Sequence, residues 1–302
     1  MKILSLFFRF CFFLSVVFLI ILLSKGWHLY TSGFRKDKIY TELTYDGSDI
    51  PLDKQNQVRD ILKQKFYFLD RGCQTYVFLS ADKQYVLKFI RYHKYELPFW
   101  MHYIEKTTKG KKYRDGRLRH RVKRRKESLK SYSIAYQHLQ KETGIVYAHL
   151  NQTSVLKTSI TVYDRLHHKY CIDADNVGFL IQKRATPLTK ALMDCKKNQD
   201  DLTTQQITHS FFEDVDALCK KGIVNRDYNC LKNSGIIDGQ VVQFDLGSFY
   251  YQKGLEDHLA YEKEVKNFTK HYRRWAVKYY ANLVDIYDEE LQRMIKKNYE
   301  EK

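Results

Sequence analysis

An almost unbroken apolar run opens the chain. From Phe10 to Leu23 only Ser15 is polar, and counted back through Arg9 the run begins at Ile3. About 20 such residues, wound as a helix, are enough to cross a bilayer. Three readings are open: a single-pass anchor with Arg9 snorkelling to the near interface, a cleaved secretory signal, or a buried element. The lysine inside Ser24-Lys25-Gly26 makes a poor cleavage site, so the expectation is an anchor over residues 1–24. Lys2 and Arg9 precede the run, while Lys25, Arg35, Lys36 and Lys38 follow it. By the positive-inside rule this tilts the remaining chain toward the cytoplasmic side.

The rest of the 302 residues can bury an ordinary core. With 44% hydrophobic and 29% charged residues the chain belongs among folded domains, and 24 Tyr against 3 Pro speak against low complexity. A net charge of +17 draws it toward nucleic acid, an anionic membrane surface or a polyphosphate ligand without choosing among them. Six cysteines without a CxxC pair argue against a zinc cluster or a disulfide framework and favour reduced thiols.

Residues 25–52 are polar and contain YDGSD, which reads as a juxtamembrane linker. Asp53 is a plausible cap for a short helix whose Val58, Ile61 and Leu62 share one face. The following FYFLDRGCQTYVFLSADKQYVLKFI predicts three strands of an antiparallel meander, with strands at Thr75 to Leu79 and Tyr85 to Ile90, a turn at 81–84 and one embedded lysine, Lys88. The basic run 106–126 is a solvated helix face or loop, or a patch for acidic lipid headgroups or nucleic acid. It lacks the aromatic interleaving of a base-stacking surface, so no specific nucleic-acid partner is expected. It leads into a helix whose buried face is Leu129, Tyr132, Ala135, Tyr136 and Leu139. Strands are predicted in TSITVYD and NVGFLIQKRA, then a helix ending at Gly222, a polar hairpin over 223–250, and a helix-rich remainder.

The hairpin, GIVNRDYNCLKNSGIIDGQVVQFDLGSFY, carries the chemistry. Phosphoryl transfer needs an Asp beside the incoming hydroxyl and an Asn with a second Asp on Mg²⁺. Asp227, Asn229, Asn233 and Asp245 supply those types, with Val241, Val242 and Phe244 as the apolar strand that delivers Asp245. Each has a plainer role available: Asx turns for the aspartates, left-handed loop positions for the asparagines, a solvent-facing strand position for Lys88.

In these motifs the chain resembles the protein kinase-like superfamily, including bacterial sugar, aminoglycoside and lipopolysaccharide-core kinases with short C-lobes. NRD at 225–227 resembles the catalytic-loop HRD, Asn233 its metal-binding Asn, and DLG at 245–247 the DFG motif. Lys88 in YVLKF looks like the strand lysine that holds nucleotide phosphates, and DRGCQTYVF stands where the Gly-rich loop would be, leaving Gly72, Gln74 and Thr75 as its phosphate donors. Glu127, with Glu142 as an alternative, stands as the ion-pair partner of Lys88, and FLIQKRA falls where the strand entering the adenine hinge would lie. The departures are equally specific: the His is Asn225, only Gly72 remains of the glycines, and the spacing from Asp227 to Asn233 is one residue longer than usual, so the loop bulges or Asn229 serves instead.

The resemblance implies an α+β, two-lobed kinase-like fold behind the transmembrane helix, with an antiparallel-sheet N-lobe at 53–185 and a short, mainly helical C-lobe at 186–302. It implies ATP and Mg²⁺ as cofactors and transfer to a hydroxyl of a sugar, lipid-linked or protein acceptor. Asp227 and Lys88 would be catalytic, Lys88, Glu127, Gly72, Gln74 and Thr75 would hold nucleotide, and Asn233, Asp245 and Asn229 would offer metal ligands. The alternative is a pseudokinase, a membrane-tethered interaction module without catalysis.

Overall fold

A computed structural model describes residues 2–41, 45, 54–104 and 107–300. Asp53 with its proposed cap, most of YDGSD and Lys106 lie outside the described residues. The apolar run forms helix α1 (Lys2–Tyr30), which continues past residue 24 because nothing in SKGWHLY breaks a helix except the single Gly26. Its segment Phe7–Tyr30 has a mean hydropathy of 2.5, is unburied, and is long and apolar enough to cross a membrane.

The chain after α1 departs from the expected linker. Phe34 and Ile39 are buried, and Tyr40 bridges to Val177. Phe34 meets Tyr76, Phe78 and Tyr170 edge-on, and the phenol of Tyr76 donates to the Gly33 carbonyl at 2.7 Å. Three apolar residues in an otherwise polar segment suffice to fasten it to the sheet.

Helix α2 (Gln55–Leu62) buries Val58, Ile61 and Leu62 as predicted. Then come β1 (Lys65–Arg71), β2 (Thr75–Ser80), β3 (Tyr85–Ile90), the long α3 (Thr108–His138), the single turn α4 (Gln140–Thr143), β4 (Ile145–His149), β5 (Ser159–Tyr163), β6 (Lys169–Asp173) and β7 (Phe179–Lys183). These seven strands make one sheet in the order β4-β7-β3-β2-β1-β5-β6. The expected meander is present, with Val77 opposite Lys88 and Lys88 opposite Leu180. The sheet is not wholly antiparallel. β1 pairs in parallel with β5, bringing Tyr67 onto Tyr163 with ring centroids 5.2 Å apart, because the long excursion through α3 returns the chain to the free edge of β1. Two strands were not predicted: β4 is buried at every position and shows no alternation, while β6, KYCID, is a short, mostly exposed outer strand in which only Ile172 is buried.

The second part consists of β8 (Thr186–Pro187), α5 (Leu188–Asn198), α6 (Asp201–Lys220), β9 (Ile223–Asn225), α7 (Cys230–Asn233), β10 (Ser234–Ile237), β11 (Gln240–Gln243), β12 (Phe249–Tyr251), α8 (His258–Tyr279) and α9 (Leu283–Glu300). α6 turns at Gly222, whose φ of 65° is the left-handed conformation that glycine adopts without strain. The helices pack around Phe211, Phe212, Tyr272 and Tyr287, a cluster separate from the sheet's. The architecture is a mixed α/β one, a multi-stranded sheet followed by a helical part.

Gly235 marks where the small β8-β10-β11 sheet is tightest. A methyl group there would lie 2.6 Å from the Thr186 carbonyl and 2.9 Å from the Ala185 side chain. Gly235→Ala is therefore expected to cost about 2 kcal/mol through forced repacking, read as a lower denaturation midpoint at unchanged slope.

Candidate functional site

Lys88 is buried in β3 and directs its amine away from the sheet. Nζ donates to the Phe244 carbonyl at 2.6 Å and lies 5.7 Å from the centre of that residue's ring. Burial lowers its pKa from 10.5 to about 8, against the opposing pull of the Asp245 carboxylate. A drop of that size amounts to about 3 kcal/mol against the charged form.

The dipeptide that Lys88 grips is also held from the other side. The Asn233 carbonyl accepts from the Phe244 amide at 2.8 Å and from the Asp245 amide at 3.4 Å. Lysine, asparagine and aspartate are thereby clasped around one short stretch of backbone. The extra residue between Asp227 and Asn233 is absorbed by α7, a helical turn in which the Lys232 and Asn233 amides both bond to the Asn229 carbonyl. Asn229 itself is exposed, whereas the Asn233 side-chain nitrogen is buried without a hydrogen-bond partner. A buried amide left without a partner suits a ligand; turned over, it would offer its oxygen, together with Asp245, to a hard cation. Among the described residues no three His, Cys, Asp or Glu side chains converge as a metal cluster, so a cation here would need oxygens from a bound ligand as well.

Asp227 sits on the neighbouring ribbon. β9 pairs with β12, setting Asn225 opposite Phe249, and the Arg226 amide donates to the Ser248 carbonyl at 3.0 Å. The NRD and DLG segments thus lie side by side. Asn225 acts as scaffold: its Oδ1 accepts from the Asp227 amide at 2.9 Å and its Nδ2 donates to Gln243, which in turn donates to Asp214 on α6 at 2.8 Å. Burial pushes the Asp214 carboxyl well above its ordinary pKa, so this chain ends in a carboxyl whose charged form is disfavoured. The Asp227 carboxylate also accepts from the Asn229 amide at 3.0 Å, and that of Asp245 from the Gly247 amide at 3.2 Å. Both aspartates therefore make the Asx turns that their loops suggest.

α3 holds the two halves together. The Ser131 hydroxyl donates to the Leu246 carbonyl and accepts from the Phe249 amide at 2.7 Å, while the Tyr132 phenol donates to the Gln74 amide oxygen at 2.8 Å. Gln74 lies so close to DLG that a methyl group on Gly247 would fall 2.2 Å from its Oε1. The Gly72 carbonyl accepts from Arg91 at 2.6 Å, and Thr75, half-buried, begins β2 opposite Ile90. The loop expected to cradle phosphates is in this structure folded down on the DLG segment.

One expected pairing is absent. Glu127 does not reach Lys88; its carboxylate lies 3.4 Å from Arg226, whose guanidinium stacks 4.4 Å over the Tyr250 ring. Glu127 is half-exposed, one residue before the buried face of α3 begins at Ser128, and the Lys88 amine is already bonded to Phe244. Glu142 is likewise engaged elsewhere, 2.5 Å from Lys221. The sequence reading missed Arg226, Tyr132, Ser131 and the Asp214 relay. Only Asp214 left a signal, a carboxylate on the helical face of Phe211, Val215 and Leu218.

No family model matches the chain, and no curated protein matches it. Among solved structures it is similar to a crystal structure of WbdD, at 13% identity over 74% of this chain and 46% of that one, with a TM-score of 0.37. A structure described as the bifunctional kinase-methyltransferase WbdD matches at 14% identity over 72% and 43%, TM-score 0.33. The complex of Rv3197 with erythromycin from Mycobacterium tuberculosis matches at 14% over 80% and 60%, TM-score 0.32. The chain spans about half the length of the WbdD structures. Likeness at this level assigns no residue a role.

The lysine offers a direct check on the site's electrostatics. Between pH 8 and 10.5 the unfolded chain still holds this proton while the folded chain has released it, so folding stability rises with pH across that window. Below it the full cost of burying the ammonium is present. Cys219 and Cys230, whose thiols burial pushes up to about 12, contribute the opposite slope above about pH 9, so the lysine is read as the difference between the natural chain and Lys88→Met along a pH series. That difference is expected to shift toward the natural chain as pH rises from 8 to 10.5, and against an Asp245→Asn background to begin at lower pH. A difference that does not change with pH would assign no titration to Lys88.

Proposed function

We propose that this is a kinase-like protein that binds Mg-ATP between the sheet and the 223–250 hairpin and transfers the terminal phosphoryl group to a hydroxyl acceptor. The observation that carries this reading is the clasp at Phe244-Asp245, which gathers Lys88 from the sheet with Asn233 and Asp245 from the two arms of the hairpin. It gains support from the β9/β12 ribbon that sets Asp227 beside them.

In this reading the acceptor oxygen attacks the terminal phosphorus, the bond to the leaving diphosphate breaks, and the acceptor's proton passes to Asp227. Lys88 neutralises phosphate charge, exchanging the Phe244 carbonyl for a phosphate oxygen. Asn233 and Asp245 would hold Mg²⁺, which when bound offsets the charge on the phosphate oxygens. Among the donors expected in the 70–78 loop, Gln74 first has to swing off Gly247. α1 would anchor the protein as a single-pass chain with residues 25–302 on the cytoplasmic side, which favours a sugar or lipid-linked acceptor at the membrane over a soluble one.

A second reading is favoured by Gln74 over Gly247 and by Glu127 on Arg226: a pseudokinase that keeps the fold as a membrane-tethered binding module. Thermal-shift and turnover assays on the full-length protein separate the two. The first reading expects a Mg-dependent shift with ATP that Asp245→Ala removes, and ATP consumption that Asp227→Ala lowers by about 10²- to 10⁴-fold while leaving the shift intact. A shift without turnover on any acceptor supplied would support the second. Neither shift nor turnover would overturn both.

A further inference from the structure

The geometry points to a second membrane contact: the N-terminal half of α3 and the aromatic turn before it form a surface that docks on an anionic lipid leaflet. This inference stands apart from phosphoryl transfer and uses none of the site residues.

The first observation is that half of α3 has nothing apolar to pack on. The helix is 31 residues long, yet none of residues 108–127 is buried, and burial begins only at Ser128. A length of about 30 Å is thus left unburied, with Tyr113, Leu118 and Val122 its only apolar side chains. Between Thr107 and Lys126 it carries eleven Lys and Arg against one acid, Asp115. Several of these are like charges four residues apart, among them Arg117 with Arg121, Arg119 with Lys123, and Arg121 with Arg125. Such pairs destabilise a helix in water, and an anionic surface relieves them.

The second observation is independent of charge. The 3₁₀ turn Phe99–His102 leaves Phe99 76% and Trp100 46% exposed, and Tyr103 beside it is 67% exposed. The chain leaving this turn folds back on α3, with the Ile104 carbonyl against Gly110 and the Thr107 hydroxyl accepting from the Gly110 amide at 3.0 Å. One exposed patch thus combines aromatic rings with a basic helix, the composition that settles at the headgroup level of a bilayer.

The third observation is continuity with α1. Arg121 of α3 donates to the carbonyls of Lys94 and Glu96. The same short segment carries Arg91, whose guanidinium lies 4.8 Å over the Tyr76 ring, and the phenol of Tyr76 holds the Gly33 carbonyl where α1 ends. The base of the exposed half-helix and the exit of the apolar helix are therefore fastened to one piece of the sheet. A nucleic acid would satisfy the charge alone; a leaflet satisfies the charge, the exposed rings and the neighbouring apolar helix together.

The test uses the full-length chain in nanodiscs with Trp27→Phe and Trp275→Phe, leaving Trp100 as its single tryptophan. Discs of phosphatidylcholine, with or without phosphatidylglycerol, carry brominated acyl chains as quenchers. Trp100 emission is expected to be quenched when phosphatidylglycerol is present and to recover at high salt. Each basic residue removed should lower the ratio of docked to undocked protein about fivefold, so Arg117, Arg119, Lys123 and Arg124 all changed to Gln should abolish quenching with helix content retained by circular dichroism. Quenching that ignores lipid charge or the four substitutions, or no quenching in either disc, overturns the proposal. So does added RNA or duplex DNA that binds the basic half-helix and releases Trp100 from phosphatidylglycerol discs at physiological salt.

Discussion

The arrangement of the site turns on one buried amine. Lys88 lies in the middle of the sheet, and its bond to the Phe244 carbonyl spans 156 positions in sequence. An ammonium in that setting is costly, and a single carbonyl with a nearby carboxylate offsets the cost only in part, hence the pKa of about 8. A leucine or methionine would serve the sheet better. The chain retains a group that is under-satisfied where it stands, and the buried nitrogen of Asn233, whose carbonyl bonds the Phe244 amide, is under-satisfied as well. Two such groups on opposite sides of one dipeptide are a place where a charged, oxygen-rich ligand improves the balance.

α3 connects this site to the remaining surface. Its buried half supplies Ser131 and Tyr132, which fix the DLG backbone and the loop at Gln74. Its exposed half carries the basic surface. Because a helix is stiff over this length, a force on the basic end is felt at Ser131 and Tyr132, and the Glu127 to Arg226 contact lies at the junction.

Much of the fold was legible because its signals are local. The period of Leu129, Tyr132, Ala135 and Tyr136 gave the buried face of α3, the aromatic and β-branched residues of Thr75 to Leu79 marked β2, and Gly222 marked the end of α6. What stayed hidden was long-range or unpatterned. β4 is apolar on both faces, the parallel pairing of β1 with β5 depends on a return over some ninety residues, and the segment after α1 is tied down by three side chains. In the site, residue types were readable and partnerships were not. The sequence pointed to Glu127 as a partner for Lys88, but a side chain's partner depends on where burial begins along its helix, and here that is one residue later. Conversely, the extra residue before Asn233 called for a bulged loop or for Asn229 in its place, and the chain forms a helical turn there that leaves Asn233 bonded to the backbone of Asp245.

The central claim is that Asn233 and Asp245 hold a divalent cation together with a nucleotide. Electron paramagnetic resonance of Mn²⁺ added to the full-length protein tests it most directly. The account predicts that the free Mn²⁺ signal falls only when a non-hydrolysable ATP analogue is also bound, that Asn233→Ala and Asp245→Ala each restore it beyond what analogue alone gives, and that Asn229→Ala does not. Mn²⁺ binding that needs no nucleotide, or that persists without Asp245, would contradict it.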